Sequence, residues 1–342
     1  MAKKTKLTAW EKLPDEEILQ MRVRDLCLQI QGSALETLIE KLYEELDVKG
    51  IAFHPPCYLA DEWLCPDKIP IIGIPFFLAH PRLKNIEKKI MLEVEGGAEK
   101  PFMKLLRHEC GHALNYAYKF YKKTRWRELF GPFSAKYSDS YYYQPYSRRF
   151  VIHLKYNYAQ AHPDEDFAET FAVWLTPNSN WQRKYCGWPV IKKLQYVDAI
   201  MNKINNQTPA TTVKKHLPWS ASRMTSTLSA YYDRKRRDLG SDFHGFYDDS
   251  LKELFRTKRS GAATTKASTF IRQHSRLITN NVARWTGHRK YDINQLIGRF
   301  IARCDALDLY AIDSQADDII AVTSLLTAIA RNTFRIRRKQ AR

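Results

Sequence analysis

The run Leu105-Leu106-Arg107-His108-Glu109-Cys110-Gly111-His112-Ala113-Leu114 constrains this chain more than any other stretch. It sets H-E-x-x-H inside a segment whose apolar residues recur at helical spacing. On a helix, residues four apart lie one turn above each other on the same face. Two imidazoles so placed can grip one metal ion, and Glu109 beside them can act on water. The bland alternative is a pair of surface histidines on a helix.

A catalytic zinc takes three protein ligands and leaves a fourth position open. No histidine occurs between positions 113 and 152, so a third His just past the helix is excluded. The chain instead offers His162-Pro163-Asp164-Glu165-Asp166-Phe167-Ala168-Glu169-Thr170-Phe171-Ala172. Pro163 and Asp164 are helix-start signals. Phe167, Phe171, Trp174 and Leu175 continue an amphipathic helix, and Pro177 ends it. Glu165 and Glu169 then stand one turn apart on one face. One carboxylate can ligate a metal while the next accepts from a ligand histidine's free N–H and so fixes its tautomer. His153 and His162 are rival ligands. Asp166 points about 100° away from Glu165 and is a weaker one.

An H-E-x-x-H helix succeeded by a helix reading E-x-x-x-E resembles the gluzincin class of zinc peptidases. The H-E-x-G-H and E-x-F-A-E strings are similar to those of the anthrax lethal factor type of catalytic domain. The stretch from about Ile18 to Ile204 further resembles a family of bacterial proteins described as zinc-binding metallopeptidases. The strings that carry it are Pro75 to Leu83, Leu106 to Glu109, His162 to Trp174, and Gly187-Trp188-Pro189. The resemblance implies a zinc-dependent hydrolase of peptide bonds with one Zn²⁺ per chain, held by His108, His112 and Glu165. It implies Glu109 as general base and Glu169 as the partner of a ligand histidine. It also implies a catalytic tyrosine seven residues before the ligand Glu, at Tyr158, with Tyr156 as runner-up. Substrate is expected to add as a strand to a sheet edge, either Ile71–Leu78 or Ile90–Val94.

Six scattered cysteines without a C-x-x-C pair argue against a separate cysteine zinc site and fit reduced thiols in a cytoplasmic protein. The N-terminus is basic but lacks the apolar core of a secretory signal. No run of 18 apolar residues is long enough to span a membrane.

The expected fold class is α+β. A zincin-like metallopeptidase domain over 1–204 would combine a small mixed sheet with the two motif helices, behind a disordered leader over 1–13. Helices are expected from Pro14 to about Ile30, from Ser33 to Leu46, and from Val190 to Ile204. A polar linker over 205–220 leads to a mainly helical module over 221–342. That part of the chain is strongly basic: 26 Lys+Arg against 12 Asp+Glu from 201 to 342 contribute +14 of the chain's net +18. Such charge suits a nucleic acid or an acidic protein partner, with Phe270, Trp285 and Tyr291 able to stack on bases. It equally suits a solvated face. The alternative function is therefore a non-catalytic zincin whose basic module is the binding element.

Overall fold

The computed structural model describes the chain except residues 1–8, 138–139, 142–143, 145, 206, 212–216, 240–246, 258–264, 312–314, 334–335 and 338–342. Most of the expected leader and parts of the expected linker lie outside the described residues, as does the side chain of Tyr156. The architecture is mostly helical with a small parallel sheet, in line with α+β. Residues up to 233 form the body of one compact unit and residues 234–337 that of a second.

The first unit opens with α1 (Asp15–Gln20), much shorter than the helix expected to run to Ile30. The chain leaves the helix because its backbone pairs with a segment 200 residues away. Val23 N donates to Ser226 O and Arg24 N to Met224 O, while Arg22 bridges Thr227. α2 (Ala34–Val48) forms as expected. The Ser33 side chain caps Leu35 N, and Leu35, Ile39, Leu42 and Leu46 are buried at helical spacing.

Strands β1 (Cys57–Ala60) and β2 (Ile72–Pro75) pair in parallel, Cys57 opposite Ile72 and Ala60 opposite Pro75. On its other side β2 is bridged by Leu64, which exchanges two backbone hydrogen bonds with Gly73. Of the two expected sheet edges, only Ile71–Leu78 contains a strand. Ile90–Val94 begins inside α3 (Pro81–Met91). Pro81 opens that helix and Leu83 and Ile86 are buried on its inner face, a helical period that overrides the β-branched residues at its end.

The remaining elements of this unit are α4 (Glu99–Ala117), α5 (Thr124–Phe130), α6 (Pro163–Leu175), α7 (Trp181–Lys184) and α8 (Ile191–Lys203). Both Ile200 and Met201 of α8 face inward, beside Leu194 and Val197. The division between the units falls within α9 (Leu228–Leu239), beyond the expected 205–220 linker. Hydrogen bonds explain the shift: Ser220 bridges Ala60, and the Tyr231 hydroxyl donates to Asp61 O at 2.9 Å.

The second unit holds α10 (Asp248–Leu254), α11 (Ala267–Thr286), α12 (Lys290–Ala306) and α13 (Gln315–Thr333). Its core is apolar, with Leu251, Ile271, Ile278, Val282, Leu296, Ile297, Phe300 and Leu326 among the buried residues. The module is mainly helical, and α12 ends at Ala306, just before Asp308 takes a left-handed conformation. Among the described residues, no helix is long and apolar enough to cross a membrane.

Candidate metal centre

Two helices separated by 45 residues of chain, α4 and α6, build the site. Their approach is set by Gly111. A Cβ added there would come within 2.8 Å of Ala168 Cα and 3.1 Å of Ala168 O. The missing side chain therefore lets the two backbones touch, which brings the residues flanking Gly111 against those flanking Ala168. A second anchor is Arg107, whose guanidinium donates to both oxygens of Glu45 on α2 at 2.6 Å. Helix α6 is buried from Asp164 to Leu175, charged residues included.

Three residues of the motif pair, His108, His112 and Glu165, lie at one point. His108, Glu109, His112 and Glu165 are all buried. His108 Nε2 and His112 Nε2 are 3.2 Å apart. Glu165 Oε2 lies 3.1 Å from the first and 3.2 Å from the second. A tetrahedral zinc with ligand bonds of about 2.0–2.1 Å has ligand–ligand edges of roughly 3.3–3.4 Å. The three ligand atoms thus already stand at nearly the spacing such an ion requires. Among the described residues these three form the one group of histidines, cysteines and carboxylates that could hold a metal.

The other nitrogen of each ring fixes its tautomer. His108 Nδ1 is 2.8 Å from Glu169 Oε1, and His112 Nδ1 is 2.9 Å from Asp164 Oδ2. An ionised carboxylate only accepts, so each Nδ1 carries the proton and each Nε2 presents its lone pair to the centre. Two lone pairs and a carboxylate converging in a buried place call for a cation. The raised proton affinities of both rings reflect the same demand for positive charge, which protons meet where no metal is bound. Burial works against charge on His108, but hydrogen bonds to Glu165 and Glu169 outweigh it and raise its pKa to about 9. Burial likewise opposes charge on His112, and Asp164 and Glu165 carry it well above the ordinary range. For Glu165, burial favours the neutral acid, yet His112 and His108 hold its carboxyl well below the usual value. Donor set, spacing and burial fit zinc.

The rival ligands are engaged elsewhere. His153 Nε2 lies 2.9 Å from Lys104 O. His162 is the N-cap of α6: its Nδ1 accepts from Asp164 N, and its ring stacks on Tyr137. Asp166 faces away and pairs with Lys193 at 2.5 Å. The Tyr158 ring lies beside His108 with centroids 5.6 Å apart, on a 3-10 helix (Lys155–Gln160) that runs into α6. Glu109 makes itself felt at Tyr58, where burial raises the phenol's pKa and the Glu109 carboxylate adds to the rise.

One residue of the site was legible only as a helix-start signal. Asp164 is fully buried, and its carboxylate accepts from His112, Asn115 and Tyr116. The pairs 108 with 169 and 112 with 164 advance along α4 while receding along α6, as two antiparallel helices do. That order is the signal through which the role could have been found, since it needs only the assumption that the two motif helices pack antiparallel.

Comparison with known proteins agrees with this geometry. No curated protein and no solved structure matches the chain. Residues 98–218, which contain both site helices, match the model of a family described as "Putative zinc-binding metallo-peptidase". The match covers 121 of the chain's 342 residues, and over that segment the chain is similar to this family.

Proposed function

We propose that the protein is a zinc-dependent peptidase of the zincin type, with one ion held by His108, His112 and Glu165. The observation that carries this reading is the convergence of two Nε2 lone pairs and one carboxylate oxygen at 3.1–3.2 Å in a buried place. When bound, zinc supplies Lewis acidity toward water and a scissile carbonyl. Glu109 is the general base: its carboxylate takes the proton from the attacking water and returns it to the leaving amine. Tyr158 donates a hydrogen bond to the developing oxyanion, a role supported by its ring lying against His108. Glu169 holds His108 in the tautomer the reaction needs. The substrates of such a site are peptides or proteins.

The test is elemental analysis of protein purified without added metal, with peptide-library cleavage alongside. Wild type should retain one zinc, and Glu165→Ala should lose most of it. Glu109→Gln should keep the zinc and lose hydrolysis, because Glu109 is a base and not a ligand. Wild-type protein that takes up no zinc even when zinc is supplied would sink the reading. A Glu109→Gln variant that cleaves at the wild-type rate would remove the general-base assignment.

A further inference from the structure

Asp164 is fully buried, and both of its oxygens are occupied. Oδ1 accepts from Asn115 Nδ2 at 2.7 Å, while Oδ2 accepts from the Tyr116 hydroxyl at 2.6 Å and from His112 Nδ1 at 2.9 Å. All three donors belong to the last turns of α4. Asn115 in turn accepts from Tyr121 N through Oδ1, which fixes the turn beyond the helix end. Asp164 itself is held from behind, since its backbone N–H donates to His162 Nδ1 at 3.1 Å. The carboxylate is therefore immobile, and His112 can reach it with only one ring orientation. Were His112 merely a core histidine, a neutral acceptor would satisfy its N–H without the cost of burying a charge. A buried anion at that nitrogen does something more: it makes the opposite nitrogen a better electron-pair donor. Glu169 stands in the same relation to His108.

We propose that Asp164 is a positioning residue for the metal, which fixes the Nδ1–H tautomer of His112 and strengthens Nε2 as a ligand. One helix, α6, then supplies the third ligand at Glu165 and a brace for each histidine at Asp164 and Glu169. This inference rests on the proposed zinc site, and the experiment separates the two. Zinc affinity is measured by competition with a chromophoric chelator for wild type and Asp164→Asn, with far-UV circular dichroism of the metal-free proteins as a check on folding. Wild type should bind one zinc, and Asp164→Asn should bind it roughly 10–100-fold more weakly while remaining folded. Absence of zinc binding in wild type would defeat the site itself. Zinc binding by folded Asp164→Asn within about twofold of wild type would overturn the role given to Asp164.

If Asp164→Asn does not fold, the wild-type protein decides. In a ¹H–¹⁵N spectrum of the imidazoles of the zinc-loaded protein, the His112 Nδ1 proton should lie far downfield and exchange slowly with water, as a proton donated to a buried carboxylate does. A His112 Nδ1 proton at an ordinary imidazole shift that exchanges rapidly with water would overturn the inference without any variant. The cobalt-substituted wild type and Asp164→Asn provide a further readout that loss of packing alone would not produce. Weaker cobalt binding with a shifted visible spectrum is expected, and an unchanged spectrum counts against the role.

Discussion

Two helix pairs, one in each unit, solve the same packing problem with opposite materials. Between α11 and α12 lie Ile271, Ile278, Val282, Ile293, Leu296, Ile297 and Phe300, all buried. Between α4 and α6 lie His108, His112, Asn115, Asp164, Glu165 and Glu169, equally buried. The first pair is stabilised by area: each large apolar side chain withdrawn from water contributes about 1.5–3 kcal/mol. The second has no such source at its centre. Each buried ion costs several kcal/mol unless a partner stands in place, so the pair tolerates few arrangements other than the one in which every donor meets its acceptor. An apolar interface can slide and repack; a charged one specifies geometry. The unit that carries the candidate metal centre is built in the second way.

Arg107→Ala is the most severe test of that contrast. It leaves Glu45 as an uncompensated buried charge and should cost about 3–5 kcal/mol in the first unit. Arg107→Met with Glu45→Leu should restore most of the loss. Urea denaturation of the single and double variants measures both, and a double variant as unstable as Arg107→Ala would mean that the pair does more than cancel charge.

Ile297→Ala is the counterpart in the second unit. It empties part of an apolar core and should destabilise that unit by about 2–5 kcal/mol. Zinc uptake measured in the same samples is expected to stay at the wild-type level. A fall in zinc stoichiometry would show that the two materials are not independent.

Gly111→Ala adds one methyl group at the closest point of α4 and α6, 2.8 Å from Ala168 Cα. The helices must part, at a cost of about 1–3 kcal/mol, and zinc affinity should fall with stability. A variant that loses stability and binds zinc as tightly as wild type would show that the centre tolerates a wider helix spacing than the interlocked charges imply.

The mildest test is pH in the second unit. Burial pushes His288 down to about 4, although the Ala330 carbonyl accepts from it. In the unfolded chain the residue titrates near 6.5. Between these values the unfolded state binds more protons than the folded one. The stabilisation is therefore complete above pH 6.5 and is lost as pH falls toward 4. Denaturant midpoints of α11–α13 from pH 7 to 4.5, tracked by hydrogen exchange, should decline more steeply in wild type than in His288→Asn. Equal slopes would assign the acid sensitivity to other groups.

Much of the site could be read from the chain because its parts are local. His108, Glu109 and His112 are related by one helical turn, as are Glu165 and Glu169, and helix geometry alone aligns them. The apolar faces of α2, α6 and α8 were legible for the same reason. Elements whose fate depends on distant partners were not. The helix expected through Ile30 stops at Gln20 because Val23 and Arg24 bond to Ser226 and Met224. The expected strand at Ile90–Val94 overlaps the end of α3.

The chemistry on offer is written in the chain: two imidazoles one turn apart with a carboxylate next to the first in sequence, and a second helix bearing acids at matching spacing. Which acid meets which histidine was decided only in the tertiary structure. Asp164 and Glu165 are neighbours in the chain and point about 100° apart on an ideal helix, yet both reach His112, one at Nδ1 and one at Nε2. The close approach at Gly111 brings His112 to the start of α6, where adjacent residues can grasp opposite edges of one ring. A helical period describes one helix, whereas the division of labour between Asp164 and Glu165 belongs to the packing of two.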